Sequence, residues 1–317
     1  MSTASVTSDQ LHPEIAAHLE AFPVFDFSSL DLAEVRGQTR QTFLEGVQLS
    51  DDVERVDHVV DADLGIVVRI HRAKSAHAPL PCVFSIHGGG YILGSRDMDD
   101  PRFDRWCTSL PCVGASVEYR LAPEVPFPGP LEDCHAALQW LVAHADELGV
   151  DAARIGVSGV SAGGGLAAAL ALLARERGEI TLRFQLLEAP MLDDRQQTPS
   201  SRLEGLPVWS RQSNEFGWRS YLGERYGRDD VPSIAAPARC DDLAGLPPAF
   251  VAVGTMDGFR DEDVDYAMRL NQAGVPTELH VYPGAPHGFQ MFPQSSVTQQ
   301  AQRDVDDWLG RQLARLQ

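Results

Sequence analysis

The sequence predicts an α/β fold, a mainly parallel sheet covered by helices on both faces. Three observations predict it. Strand-like and helix-like segments alternate over most of the 317 residues, the pattern of repeated strand–helix–strand crossovers. Hydrophobic residues make up 44% of the chain, enough for one large packed core, and single α/β units of this length are common. The segments richest in chemistry all fall where strands end, which is where such sheets bind ligands.

The elements follow in order. Residues 1–45 read as mostly helical, with breaks expected at Pro13 and Pro23. From about Val53 the pattern turns strand-like, and Gly65 to Ile70, Pro81 to Ile86 and Cys112 to Val117 are β-rich runs. Leu131 to Leu148 carries apolar residues at helical spacing. Arg154 to Ser158 reads as a strand, Ala162 to Arg177 as an alanine- and leucine-rich helix, and Leu182 to Glu188 as the next strand. Residues 191–230 break the rhythm. Strand Ala249 to Val253, helix Asp261 to Ala273, strand Glu278 to Tyr282 and helix Val297 to Leu316 restore it. This divides the chain into an N-terminal helical segment (1–45), a first core part (46–190), an internal segment outside the rhythm (191–230) and a second core part (231–317).

The formal charge of −19 repels phosphate backbones and anionic membranes, so no nucleic-acid partner is expected. No apolar run approaches the roughly 18–20 residues that span a bilayer, so none with a membrane is expected either. The start is polar, without a signal-peptide pattern, and the expectation is a cytoplasmic protein. The five cysteines are scattered, with no CxxC pair, and read as buried structural thiols rather than disulfides or a metal site.

Gly159-Val160-Ser161-Ala162-Gly163 lies between a strand and a long helix. A nucleophile lifted above a sheet needs a sharp strand-to-helix turn, and small flanking residues permit it. The helix N-terminus also favours developing negative charge. Ser161 is therefore the candidate nucleophile. His87-Gly88-Gly89-Gly90 follows the strand ending at Ile86. Its glycines expose backbone N–H groups suited to an oxyanion, and the N–H of Ala162 would complete the set. His87 is expected to hold the loop through hydrogen bonds, with Gly88 beside it as further support.

HGGGYILGS (His87 to Ser95), EYRLAPEVPFPGPLED (Glu118 to Asp133) and the GVSAGG elbow resemble, in order, the motifs of the hormone-sensitive-lipase-like esterases, the bacterial family IV carboxylesterases. The resemblance covers roughly residues 80–290. Through FPGPLEDC, SAGGGLAA and LLEAPMLDDR the chain most resembles the heroin-esterase-type acetylesterases. The resemblance implies the α/β-hydrolase fold, with an eight-stranded type of sheet and a small helical cap formed by the two non-core segments, 1–45 and 191–230, and a homodimer. It implies Gly89, Gly90 and Ala162 as oxyanion donors, and Glu124 and Asp133 as structural acids behind the site. One departure is Val160, where the family usually has Asp. Glu188, at a strand end, either supplies the missing carboxylate or is an ordinary strand-end acid.

Of the ten histidines, His287 sits in a glycine- and proline-framed loop after a strand and is the candidate base. Asp257 follows the strand Ala249 to Val253 and falls between Ser161 and His287 in chain order, as this fold requires. The family's DPLRDE-like run appears as Asp257-Gly258-Phe259-Arg260-Asp261-Glu262, with Gly replacing Pro. Asp261 and Glu262 read as first-turn helix acids, and Asp193 and Asp194 stand as alternative orienting acids. Trp209, Phe216, Trp218 and Tyr221 either wall the substrate pocket or anchor the internal segment to the core. The expected chemistry is hydrolysis of a small-molecule ester, with short acyl chains and aromatic or bulky alcohols, and needs no metal or cofactor. The same machinery on an amide or formamide, a non-catalytic receptor on this fold, and a true lipase are the alternatives.

Overall fold

The computed structural model describes residues 5–19, 27–77 and 79–314. A single eight-stranded sheet runs in the order β1-β2-β4-β3-β5-β6-β7-β8. The strands are β1 (Val53–Asp61), β2 (Ile66–Ala73), β3 (Leu80–Ile86), β4 (Val113–Glu118), β5 (Val150–Val160), β6 (Gln185–Glu188), β7 (Ala249–Met256) and β8 (Thr277–Pro286). β2 pairs antiparallel with both β1 and β4, and every other pairing is parallel. The central strands β3, β4, β6 and β7 are apolar and buried almost end to end, because helices cover both sheet faces. β1 differs. It is an edge strand with exposed Val56 and Val59, which blurs its alternation.

The helices are α1 (Pro13–Leu19), α2 (Leu32–Leu44), α3 (Asp100–Ser109), α4 (Gly129–Ala143), α5 (Ala145–Leu148), α6 (Ala162–Arg177), α7 (Arg211–Leu222), α8 (Arg260–Gln272) and α9 (Ser296–Ala314). α6 is apolar all round and buried continuously from Ala162 to Ala174, as expected of a helix packed inside the molecule. Pro13 opens α1 rather than breaking it, since a proline at the first helical position gives up no intrahelical bond. Pro23 lies outside the described residues. The stretch Leu131 to Leu148 divides into α4 and α5 at His144.

Two helices were not read from the sequence. α3 alternates charges with its buried Phe103, Trp106 and Cys107. α7 lies inside the segment read as irregular; Ser210 caps it, accepting from the Ser213 N–H at 3.1 Å. The five cysteines are buried and unpaired. Among the described residues no helix is long and apolar enough to cross a membrane.

The N-terminal helices are tied to loops at the carboxyl ends of the strands. Asp31 caps α2 by accepting from Ala33 N at 2.9 Å. From that helix Arg36 donates to the Ile92 and Ala122 carbonyls at 2.8 and 2.9 Å and forks onto Glu124 at 2.8 Å. Asp133 likewise accepts a fork from Arg120 at 2.8 and 2.6 Å.

Candidate active site

β5 delivers the serine. Its last residues turn directly into α6, and Ser161 takes φ 58° and ψ −124°, a backbone state that a non-glycine residue adopts only when its surroundings hold it. Two hydrogen bonds do so: Ser161 N–H donates to the Glu188 carbonyl at 2.9 Å, and the Ser161 carbonyl accepts from Met191 N–H at 2.9 Å. The flanking glycines are required by contact. A Cβ on Gly163 would fall on the Ile86 carbonyl oxygen, and one on Gly159 on the Gly163 carbonyl.

β7 and β8 deliver the other two groups. His287 Nε2 lies 2.9 Å from Ser161 Oγ, and His287 Nδ1 lies 2.8 Å from Asp257 Oδ2. Asp257 is 1% exposed, and its second oxygen accepts from Phe259 N–H at 3.0 Å. The Phe259 ring stands edge-on to the imidazole at 5.0 Å, and the Trp209 ring lies 6.4 Å from it. An imidazole so placed can take the serine proton while the carboxylate fixes the tautomer that leaves Nε2 free to accept it.

The loop after β3 runs beside the serine. A Cβ on Gly88 would come 3.4 Å from that of Ser161. Gly89 and Gly90 have φ of 117° and 60°, and the Gly89 carbonyl turns inward to accept from Ile92 and Leu93 N–H at 3.0 and 2.9 Å. His87 braces the loop. Its Nδ1–H donates to the Gly88 carbonyl at 2.9 Å, its ring stacks on Tyr119 at 4.2 Å, and the Tyr119 hydroxyl donates to the His87 carbonyl at 3.0 Å. Burial pushes the His87 imidazole below its usual range, so it stands neutral.

The alternative acids lie elsewhere. Asp193 pairs with Arg195 at 2.7 Å and Asp194 with Arg239 at 2.6 Å. Glu262 is not an ordinary first-turn acid. It is 2% exposed, and its Oε1 accepts from Leu192 and Asp193 N–H at 2.9 and 3.1 Å; burial pushes its carboxyl well up. Asp261 accepts from Ser200 N–H at 2.7 Å. Trp218 and Tyr221 sit in the core against Tyr91, at 5.4 and 4.0 Å, and anchor α7 there. Phe216 packs half-buried against the same core. Of the four aromatic candidates Trp209 alone makes a ring contact to His287 among the described residues. Sequence reasoning missed Phe259 as the ring beside His287, and Arg102, which pairs with Glu188 at 2.6 Å. The signal for Arg102 was Glu188 itself, since a buried strand-end acid needs a cation.

A family model described as alpha/beta hydrolase fold matches residues 83–291. The chain is similar to the carboxylesterase NlhH of Mycobacterium tuberculosis, 35% identical over 301 residues covering 92% of each chain. It is also similar to the esterase LipI of the same organism, 37% identical over 238 residues covering 74% of each. Among solved structures it is similar to a bacterial heroin esterase, with TM-score 0.92, 39% identity, and coverage of 98% of this chain and all of that one. Fold and relatives define a carboxylic ester hydrolase. The chain belongs to the α/β-hydrolase fold family, in its hormone-sensitive-lipase-like branch.

Proposed function

We propose that this chain hydrolyses short-chain acyl esters through an acyl-enzyme, with Ser161 as nucleophile, His287 as general base and Asp257 as the acid that orients it. The observation that carries the reading is the hydrogen-bonded chain of 2.9 and 2.8 Å linking serine, imidazole and buried carboxylate. His287 takes the Ser161 proton as Oγ attacks the ester carbonyl. The N–H groups of Gly89, Gly90 and Ala162 receive the oxyanion. The imidazolium then gives its proton to the departing alcohol, and water activated by the same histidine frees the acid. Glu188, His87 and Gly88 support this machinery without touching the substrate.

The acyl side is narrow in this reading. The Trp209 indole packs so closely on Gly90 that a Cβ there would overlap the ring. Behind that ring, with Leu206, Ser210, Asn214 and Phe259, lies a cavity of about 10 Å³ that none of Ser161, Asp257 and His287 lines, so the narrow-pocket reading rests on the indole over Gly90. Residues 191–230 and the N-terminal segment act as the cap, meeting where Phe27 lies 5.6 Å from Trp209. An open apolar pocket would gain about 0.8 kcal/mol for each added methylene, whereas a closed one gains nothing past its wall. The test is kcat/KM across aryl esters from acetate to palmitate. A maximum between acetyl and butyryl is expected; one at about ten carbons or beyond would refute the narrow pocket.

A further inference from the structure

We propose that Arg102 is a positioning residue for the nucleophile: paired with Glu188, it fixes the strand end that holds Ser161 and, through Gln290, the loop that carries His287. The inference rests on the triad reading above. Val160 and Glu188 are register partners across β5 and β6. The residue before the serine is thus apolar, and the carboxylate of this region stands on the neighbouring strand.

Glu188 makes three connections. Its backbone carbonyl accepts the Ser161 N–H at 2.9 Å. Its Oε2 lies 2.6 Å from Arg102 Nη1 on α3. Its Oε1 faces Gln290 Nε2 at 3.5 Å, three residues beyond His287 in sequence. An acid that merely ended a strand would reach solvent, but Glu188 is 4% exposed, and a buried charge persists only with a partner. Arg102 is seated for that task, with its guanidinium 5.2 Å over the Trp106 ring. Asp99 also faces Arg102; burial pushes its carboxyl up, and of the two acids Glu188 acts more strongly on the guanidinium. Burial also works against the Arg102 charge, yet Glu188 and Asp99 outweigh it and hold the guanidinium protonated.

The mechanical consequence follows from Ser161. Its φ of 58° is held from outside, by a backbone bond to a residue whose side chain is pinned by Arg102. Loosening Glu188 frees both the elbow and the Gln290 turn, so the Ser161–His287 distance is no longer set. Binding of the ester depends on the cap and the acyl pocket and is untouched, so the loss falls on kcat.

The experiment measures steady-state kinetics on an aryl acetate, with thermal stability, for Arg102→Met, Arg102→Lys, Glu188→Gln and the Arg102→Met/Glu188→Gln double variant. Both single neutralisations should lower kcat on the order of ten- to a hundredfold, with KM within about twofold of the parent. Arg102→Lys should recover most of the loss. The double variant leaves neither member of the pair charged; it should regain stability but not kcat. Parental kcat in folded Arg102→Met, or a kcat that returns with stability in the double variant, overturns the proposal. If the singles fail to fold, the double variant decides by the same criterion. Ser161→Ala is measured alongside. If it is inactive while Arg102→Met is unaffected, only this inference falls; if it is active, the triad reading falls.

Discussion

Replacing Asp257 by asparagine exchanges one carboxylate oxygen for an NH2 and leaves the shape intact, so its effect can be worked from the hydrogen bonds. Each Asp257 oxygen has a donor facing it: Phe259 N–H at 3.0 Å and His287 Nδ1 at 2.8 Å. An amide offers one oxygen and one NH2. If the oxygen stays with Phe259, the NH2 faces Nδ1, and the imidazole must carry its proton on Nε2, where it cannot accept the one from Ser161. If the amide turns over, the working tautomer survives, but NH2 meets the Phe259 N–H in a buried site. Leaving that backbone donor unsatisfied costs about 1–3 kcal/mol, and losing the charge-assisted bond to the imidazolium costs about 1.5–3 kcal/mol more. Together, about 2.5–6 kcal/mol corresponds to a fall in kcat/KM of roughly 10²- to 10⁴-fold. The assay is initial-rate hydrolysis of an aryl acetate by Asp257→Asn protein whose melting temperature matches the parent. Activity within about tenfold of the parent would refute the reasoning and free the carboxylate role for another acid.

Three further outcomes are expected. Trp209→Ala should raise kcat/KM for hexanoate relative to butyrate about tenfold, since two buried methylenes are worth about 1.6 kcal/mol; an unchanged ratio, which is insensitive to any loss of folded protein, would remove Trp209 from the acyl wall. Gly89→Ala places a Cβ on the Leu93 carbonyl oxygen at a φ of 117°, and should cost on the order of 10²–10³ in kcat, as loss of an oxyanion donor does; parental turnover would take Gly89 out of the oxyanion site. Asp263 is wholly buried, neither carboxyl oxygen has a hydrogen-bond partner among the described residues, and burial, reinforced by Glu262 and Asp257, pushes its carboxyl well up. The folded chain therefore binds this proton more tightly than the unfolded one, so stability is full below the unfolded value near about 4 and declines as pH rises toward the raised folded value. Asp263→Asn should accordingly raise the melting temperature more at pH about 8 than at pH about 4, and an equal change at both would contradict this.

What was legible in the sequence was local. GVSAG between a strand and an apolar helix needs no distant partner, because Gly159 and Gly163 are dictated by the turn they flank. HGGG after β3 and the isolated loop around His287 were readable for the same reason. α3 was not, because Asp100, Arg102, Asp104 and Arg105 dilute its apolar face, although Phe103, Trp106 and Cys107 hold helical spacing. The faces of α7 were not readable either. Trp218 and Tyr221 look like pocket aromatics until Tyr91, far away in sequence, is found packed against both, tilted to the first and stacked on the second. Glu262 resembled a dipole acid because the backbone donors it serves, Leu192 and Asp193, belong to another loop. Arg102 and Glu188 are joined only by the fold, and no spacing rule could have paired them.

The central claim is that Ser161 is the nucleophile that His287 activates. Its most direct test treats the purified protein with a stoichiometric organophosphate and locates the adduct by peptide mass spectrometry while following esterase activity. A single adduct on Ser161, formed in proportion to the activity lost and formed poorly when His287 is replaced by alanine, is the predicted result. Full loss of activity with the adduct on another residue, or full activity retained with Ser161 modified, would contradict it.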